Sequence, residues 1–243
     1  MRQAPLDRVC EYACEDADIT WQLKQLFAKK LKGTHLEKLF NDIELPLIPV
    51  LSAMELEGIR IDIDALNDFS KELESRILEL NEDVQTIAGT TFNLASPKQL
   101  GQVLFEHLKL VDKPKKTKTG QYSTSEETLL KLKGKHEIID NILEFRQLLK
   151  LKSTYVDSLP ELASEKEERI HTTYQQAVAA TGRLSSINPN LQNIPIRSEK
   201  GREVRKTFVP RNENFTLLAA DYSQIELRLM AHLSQDESML SAF

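Results

Sequence analysis

One long apolar stripe constrains the fold of this chain more than any other feature of its sequence. Across residues 66–87, seven apolar side chains recur at spacings of three and four, which predicts one amphipathic helix about 32 Å long. Either Asp62 or Asp64 can cap its start, and Gly89 can end it. So narrow a stripe needs a partner helix. Residues 138–159 repeat apolar side chains in the same way, so we expect them to form an antiparallel helix packed against it.

A second pattern, near the C-terminal end, predicts a strand followed by a helix. Residues 215–220 (FTLLAA) form an apolar run of strand length, and helical spacing follows Asp221. Ser223 and Glu226 fit a capping box, which places the start of the helix near Gln224, with its unpaired N–H groups facing Asp221. A carboxylate beside free backbone amides suits metal-assisted phosphoryl transfer, although the same corner occurs in many α/β proteins without that chemistry.

Basic side chains are concentrated in two places. The net charge of the 243 residues is −5, but nucleic-acid binding depends on local patches, and four lysines crowd residues 113–118. A solvated surface loop is the plainer interpretation of that lysine run. On the second predicted helix, Arg146 and Lys150 are four residues apart and Thr154 lies one turn further, which predicts a ladder of phosphate-binding donors on one face.

Short amide side chains follow a Gly-Arg turn. Arg183 is succeeded by Asn190, Gln192 and Asn193 within ten residues. Arginine and amide groups can donate to the N3 and O2 acceptors that every base pair presents in the minor groove. Such donors would inspect the geometry of a base pair without reading its sequence.

Two residues on the predicted N-terminal helix could support a different chemistry. Tyr12 and Asp16 are four residues apart, so phenol and carboxylate share one helix face, where a tyrosine can position water beside an aspartate-bound metal. A surface carboxylate beside a half-buried tyrosine fits the same spacing. The spacing alone leaves both interpretations open.

Hydropathy bears on the location of the protein. No apolar run approaches the roughly 20 residues that a bilayer crossing needs, and residues 1–14 lack the hydrophobic stretch of a signal peptide. The chain is 40% apolar and 28% charged, which is ordinary for a soluble protein. We therefore expect a cytoplasmic protein without a membrane partner.

Two motifs together are highly specific. The segment TGRLSSINPNLQNIP (181–195), followed by DYSQIELR (221–228), resembles the family A DNA polymerases. The resemblance extends back through four further segments and covers essentially the whole chain. These segments are KLKSTY (150–155), STSEE (123–127), FNLASPKQLGQVLF (92–105) and YACEDAD (12–18).

The resemblance implies three domains and a fold class. Residues 1–42 would be the end of a 3′–5′ exonuclease domain, residues 43–165 a thumb that binds DNA, and residues 166–243 the first part of a palm. The expected fold is mixed α+β and mostly helical. It combines long antiparallel thumb helices with an incomplete palm sheet, whose strand-to-helix corner carries the first catalytic aspartate.

The resemblance also assigns roles at that corner. Asp221 would be the catalytic residue and would bind two magnesium ions, with the backbone carbonyl of Tyr222 completing the coordination of one of them. Ser223, Gln224 and Glu226 would contact the incoming nucleotide, and Glu226 would exclude a 2′-hydroxyl from the sugar site. The capping box remains the alternative role for Glu226, because capping and sugar exclusion need different rotamers.

Partners and DNA contacts follow from the same resemblance. The partners would be primer-template duplex DNA and deoxynucleoside triphosphates, bound by a monomer associated with the bacterial nucleoid. Arg183 and Gln192 would check base-pair geometry, Asn190 and Asn193 would hold template or primer, and the helix face would lie along the minor groove. The residues assigned to that face are Arg146, Lys150 and Thr154.

The chain lacks other parts that the resemblance requires. A second palm carboxylate and a lysine- and tyrosine-bearing fingers helix do not occur before Phe243. We therefore expect part of a DNA-directed DNA polymerase that acts in replication and repair, inactive as an isolated fragment. Two alternatives stay open: a DNA-binding module without catalysis, or a remnant of a DEDD-type 3′–5′ exonuclease carrying Tyr12 and Asp16.

Overall fold

The computed structural model describes residues 5–164 and 166–243, so the predicted domain boundary at residue 165 lies outside the described residues. The fold is mostly helical with two small antiparallel sheets, which confirms the predicted class. The helices are α1 (Leu6–Leu31), α2 (His35–Leu39), α3 (Leu45–Glu57), α4 (Ile63–Ala88), α5 (Pro97–Gln102), α6 (Glu126–Leu130), α7 (Ile138–Leu151), α8 (Ser158–Leu162), α9 (Glu199–Lys206), α10 (Ile225–Ser234) and α11 (Glu237–Ala242). Three π-helical turns continue α2, α5 and α7, at Phe40–Glu44, Val103–His107 and Lys152–Val156.

Helix α4 is the predicted long helix. Its start is capped by Asp62, whose side chain accepts a 2.9 Å hydrogen bond from the backbone N–H of Ala65, and not by Asp64. Its end is Gly89, which adopts φ +64°, a left-handed conformation that glycine reaches without strain. The apolar stripe is buried in the core, where each large side chain contributes about 1.5–3 kcal/mol. Its fully buried members are Leu66, Leu73, Leu80 and Val84.

The partner of α4 is α7, and the two helices run antiparallel as predicted. Arg76 on α4 donates to Glu144 on α7 at 2.9 Å, and Ser70 on α4 donates to Asp157, just beyond α7, at 2.7 Å. Later residues of α7 therefore face earlier residues of α4. Helical structure continues beyond α7 into α8, whose first turn contains Pro160. Proline is tolerated there because a backbone N–H in the first turn of a helix has no helical partner.

Short strands form the two sheets. The strands are β1 (Ile59–Ile61), β2 (Arg169–Ile170), β3 (Thr173–Gln175), β4 (Ser185–Ile187) and β5 (Phe208–Val209). One sheet has the order β2-β1-β5, and the other is the β3-β4 pair. In the three-stranded sheet, Arg60 of β1 pairs with Arg169 of β2 on one side and with Val209 of β5 on the other. Four of the described strands, β2 to β5, lie within residues 166–243, and β1 lies in the segment before them.

The predicted strand at 215–220 is wrong. These residues have no regular secondary structure, and Leu218 is 90% exposed. A strand needs a neighbouring strand to pair with its backbone groups, and none of the described strands pairs with this segment. The predicted corner therefore consists of an extended approach followed by a helix.

The predicted capping box is also wrong, although the helix itself is present. Helix α10 begins at Ile225, close to the predicted start at Gln224. Gln224 adopts a left-handed conformation with φ +53° and occupies the cap position without a side-chain cap among the described contacts. Glu226 instead directs its carboxylate to Arg183, as described below.

Helix α1 contributes none of its residues to the core. All of its side chains are at least partly exposed, including Trp21 and Phe27, each more than half exposed. Over the described ranges, none of the helices combines the length and the hydropathy that a bilayer crossing requires.

Candidate functional site

The predicted phosphate-binding face lies on α7 and its π-helical continuation, and two of its three residues are open. Lys150 and Thr154 are both exposed, and Lys150 takes part in none of the ion pairs found among the described residues. They lie four residues apart on a continuous helical backbone, so both side chains project from the same side. This part of the face can donate to an anionic backbone.

Arg146 does not complete that ladder. Its guanidinium turns inward and donates two hydrogen bonds to Thr124, one to the backbone carbonyl and one to the hydroxyl, the latter at 3.1 Å. Burial lowers the pKa of the Arg146 guanidinium below its usual value. Thr124 is only 6% exposed, so its carbonyl needs a donor from within the protein. Of the predicted ladder, Lys150 and Thr154 are therefore open to a ligand, whereas Arg146 is engaged within the protein.

The contact with Thr124 ties α7 to the segment that carries the lysine run. The backbone N–H of Ser123 donates to the carbonyl of Lys115 at 2.8 Å, and Ser125 caps α6. Lys116 places its ammonium 5.1 Å from the centre of the Tyr122 ring. The four lysines, Lys113, Lys115, Lys116 and Lys118, are all exposed, so the turn presents a positive surface on a fixed base.

The amide-rich segment is held largely by its own side chains. Gly182 turns the chain with φ +76° immediately before Arg183. The side chain of Gln192 donates to the carbonyl of Leu184 at 3.1 Å, while its backbone N–H donates to the side chain of Asn190 at 3.0 Å. Two of the predicted DNA-contacting residues thus also organise the segment that contains them.

A buried pair of hydroxyl groups, on Thr172 and Ser186, makes hydrogen bonds to this segment. The hydroxyl of Thr172 lies 2.7 Å from that of Ser186 and within 2.8 Å of the carbonyl of Pro189. Ser186 also accepts from the backbone N–H of Leu191 at 3.2 Å. Sequence reasoning missed this pair, because isolated Thr and Ser residues in a short polar strand carry no pattern that announces burial. Thr172 lies between β2, which ends at Ile170, and β3, which begins at Thr173.

Tyr155 joins the two predicted DNA-contacting regions. Its hydroxyl donates a 2.6 Å hydrogen bond to the backbone carbonyl of Asn193, and its side chain is buried. Burial raises the pKa of the Tyr155 phenol above its ordinary value. Its place at the end of the KLKSTY motif was the available signal, but its partner could not be inferred from the sequence.

Asp221 and Tyr222 are exposed just before α10. The Asp221 carboxylate enters none of the hydrogen bonds or ion pairs found within the described residues, so both oxygens are free to bind a ligand. In the same ranges, no group of three or more His, Cys, Asp and Glu side chains is arranged to hold a metal. Asp221 offers an unpaired carboxylate of the kind that divalent cations bind, and the described side chains around it do not complete a metal site.

The residues beyond Asp221 meet the Gly-Arg turn. Arg183 and Glu226 form an ion pair with 3.2 Å between Nη2 and Oε1. The guanidinium of Arg228 donates to the carbonyl of Ser223 at 3.1 Å, which fixes the chain as it enters α10. The structure thus brings together the predicted base-pair check and the predicted sugar barrier.

The N-terminal pair occupies one helix, as predicted. Tyr12 and Asp16 lie on α1 and both are exposed, and the carbonyl of Asp16 accepts from the hydroxyl of Thr20 at 2.7 Å. The carboxylate and the phenol are accessible, and within the described ranges neither belongs to a group of three or more side chains that could hold a metal.

Comparison with known proteins gives consistent matches. Residues 63–243 match the family described as DNA polymerase family A. The chain is 51% identical to a DNA polymerase I from Synechocystis sp. over 98% of its length and 24% of that protein, and 45% identical to a DNA polymerase I from Bacillus subtilis over 98% and 27%. It therefore spans about a quarter of the length of these relatives.

A solved structure resembles the fold as well as the sequence. It is described as the POL domain of Pol1 from M. smegmatis in complex with DNA primer-template and dNTP. The TM-score is 0.79 at 42% identity, over 95% of this chain and 40% of that one.

Proposed function

Because the chain belongs to DNA polymerase family A, we propose that it forms the part of a DNA-directed DNA polymerase that grips the primer-template and supplies the first catalytic carboxylate. The match over 95% of the chain to a polymerase domain in complex with primer-template and dNTP carries this proposal. The complete enzyme would act as a monomer in replication and repair, in the cytoplasm at the nucleoid. Residues 1–42 would end an exonuclease domain, with Tyr12 and Asp16 as its last motif.

Residues 43–165 would form the thumb. Lys150 and Thr154 would donate to phosphates along one side of the duplex, and the four exposed lysines at 113–118 would add positive charge nearby. Arg146 would act on DNA chiefly by holding Thr124, and through it the base of the lysine turn. Such contacts give affinity without sequence preference.

Residues 166–243 would form the first part of the palm. Arg183, Asn190, Gln192 and Asn193 would face the minor groove, where acceptors common to all base pairs allow a check of geometry. The hydrogen bonds of Gln192 with Leu184 and Asn190 support this role, because they fix the segment before DNA arrives. Donors that are already ordered cost little conformational entropy on binding.

Asp221 and the carbonyl of Tyr222 would hold magnesium together with the second carboxylate of the complete enzyme, and water and phosphate oxygens would supply the other ligands, as magnesium prefers. When bound, two such ions neutralise charge that develops on the transferring phosphoryl group. Asp221 would keep the cation beside the primer terminus. Ser223 and Gln224 would contact the nucleotide, and Glu226 would stand beside its sugar and exclude a 2′-hydroxyl.

The test is Asp221→Asn in the full-length polymerase that carries this sequence. A matched control is Asp236→Asn, which removes the same charge while asparagine can still cap α11 through Met239. Single-turnover incorporation should fall about a thousandfold for Asp221→Asn, since a metal ligand acting in the transition state contributes several kcal/mol. DNA affinity should match the control. Incorporation at the rate of the control would overturn the proposal, and a chain that binds DNA but supports no extension in any form would favour the binding-module alternative.

A further inference from the structure

The ion pair between Arg183 and Glu226 joins two elements that are distant in the chain. Its two members come from different elements, the turn before β4 and the first turn of α10, and are separated by 43 residues. Their side chains are 76% and 71% exposed, respectively. An ion pair this exposed contributes at most about 1 kcal/mol to folding, so fold stability does not explain the contact.

The backbone on both sides of the pair is fixed independently of it. Leu184, next to Arg183, is held through its carbonyl by Gln192 at 3.1 Å. Arg228 holds the carbonyl of Ser223 at 3.1 Å and so fixes the start of α10, which carries Glu226. Only the two side chains need to move for the pair to form or break. Such a contact can respond to a ligand without disturbing the fold.

We propose that Arg183 is a positioning residue for Glu226, so that selection of the sugar depends on the arginine that would check base-pair geometry. This inference rests on the function proposed above. A guanidinium carries five N–H donors in a planar fork, so one edge can hold the Glu226 carboxylate while the rest donates to minor-groove acceptors. With Arg183 engaged at a correctly paired terminus, Glu226 is held where a 2′-hydroxyl would collide with it.

The arrangement couples two checks that are otherwise separate. A mispaired terminus shifts the minor-groove acceptors and draws Arg183 with them, which releases Glu226 from its fixed rotamer. Sugar discrimination then weakens at the same step at which base pairing fails. Loss of Arg183 should reproduce this weakened state even at a matched terminus.

The test measures single-turnover incorporation of matched ribo- and deoxyribonucleotides by the full-length polymerase. The variants are Arg183→Ala, Arg183→Lys, Glu226→Ala and the double alanine variant. Arg183→Ala should lower the deoxy-to-ribo ratio by about threefold or more, the effect of losing an interaction worth somewhat under 1 kcal/mol. In the Glu226→Ala background, Arg183→Ala should change the logarithm of the deoxy-to-ribo ratio by less than about half of the change that it causes in the otherwise unsubstituted enzyme. Arg183→Lys should recover part of the discrimination.

A control separates positioning from general effects of lost charge. Arg60→Ala removes an arginine from another ion pair, with Glu168 at 2.6 Å, far from the proposed site in sequence. It should leave the ratio unchanged. The melting temperature of Arg183→Ala should stay within about 2 °C of the unsubstituted enzyme, as expected for an exposed pair.

The four variants separate the positioning role of Arg183 from the proposed role of Glu226 at the sugar. If Glu226→Ala leaves the ratio unchanged, the proposed role of Glu226 at the sugar fails. If Glu226→Ala lowers the ratio but Arg183→Ala does not, or if the two effects are fully additive, the positioning role of Arg183 is overturned while the sugar barrier stands.

Discussion

The hydroxyl of Tyr155 donates a 2.6 Å hydrogen bond to the backbone carbonyl of Asn193. This bond connects the helical backbone that carries Lys150 and Thr154 to the segment that carries Asn190 and Gln192. Two regions that the sequence assigns separately to DNA therefore share a direct, buried link. Their relative position is set before any DNA is present.

Removal of this link should destabilise the protein. Tyr155→Phe deletes the hydroxyl and leaves the Asn193 carbonyl without its donor, which should cost about 1–3 kcal/mol of unfolding free energy. Urea unfolding monitored by circular dichroism measures the change. Tyr222→Phe, at an 81% exposed side chain, is the matched control and should be neutral within about 0.5 kcal/mol. Equal stability of the two variants would show that the link contributes nothing.

The same tyrosine should make stability depend on alkaline pH. Burial raises the pKa of Tyr155 in the folded state above the ordinary value of about 10, so folding favours the neutral phenol. The stabilisation is complete below pH of about 10 and is lost as pH rises through the higher folded pKa. Tyr155→Phe should flatten this decline in unfolding free energy. Tyr122, whose pKa is also raised by desolvation, remains in both proteins, so the difference isolates Tyr155.

Alanine substitutions of Arg146 and Lys150 should have different effects, although the two residues lie only one helical turn apart. Lys150→Ala removes an exposed cation and should reduce the ion release on binding duplex DNA by about one equivalent without changing stability. Arg146→Ala leaves the buried Thr124 carbonyl without its donor and should cost about 1–3 kcal/mol of stability. Salt titrations of DNA affinity and urea unfolding measure the two effects, with the exposed Lys71→Ala as a charge control. A reduced salt slope without lost stability in Arg146→Ala would contradict the inward orientation.

The buried hydroxyl pair should hold the amide-rich segment in place. Thr172→Val keeps the side-chain volume but removes the donor to the Pro189 carbonyl, so we expect a loss of about 1–3 kcal/mol. Thr173→Val, at an exposed position in the adjoining strand, should be neutral or slightly stabilising. Hydrogen exchange of residues 188–193 should accelerate only in Thr172→Val. Unchanged exchange would mean that the segment is fixed by other contacts.

The isolated chain should extend no primer. With magnesium, a primed template and all four deoxynucleotides, Asp221 would act without the second palm carboxylate that the family resemblance requires for two-metal transfer. A gel assay of primer extension, with the full-length polymerase as positive control, measures this. Template-dependent extension by the isolated chain would contradict the prediction.

Local signals in the sequence predicted much of the fold. The stripe on α4 and its end at Gly89 depend on spacing and on side chains within a few residues, so they could be predicted directly. The sequence left Asp62 and Asp64 as equal candidates for the cap, and the structure decided for Asp62. The paired motifs at 181–195 and 221–228 indicated the family, because residue identities at fixed spacing survive without knowledge of the fold.

Only the tertiary structure decided where the polar side chains of the candidate site point. Arg146 turns to Thr124, Glu226 turns to Arg183, and Tyr155 reaches Asn193, each across 22 residues or more. Residues 215–220 have strand composition but form no strand, because a strand is completed by a partner that its own residues do not specify. The sequence alone determined which segments are helical and which family they belong to, because those properties are local; the partner of each buried or charged group was decided by contacts between residues distant in the chain.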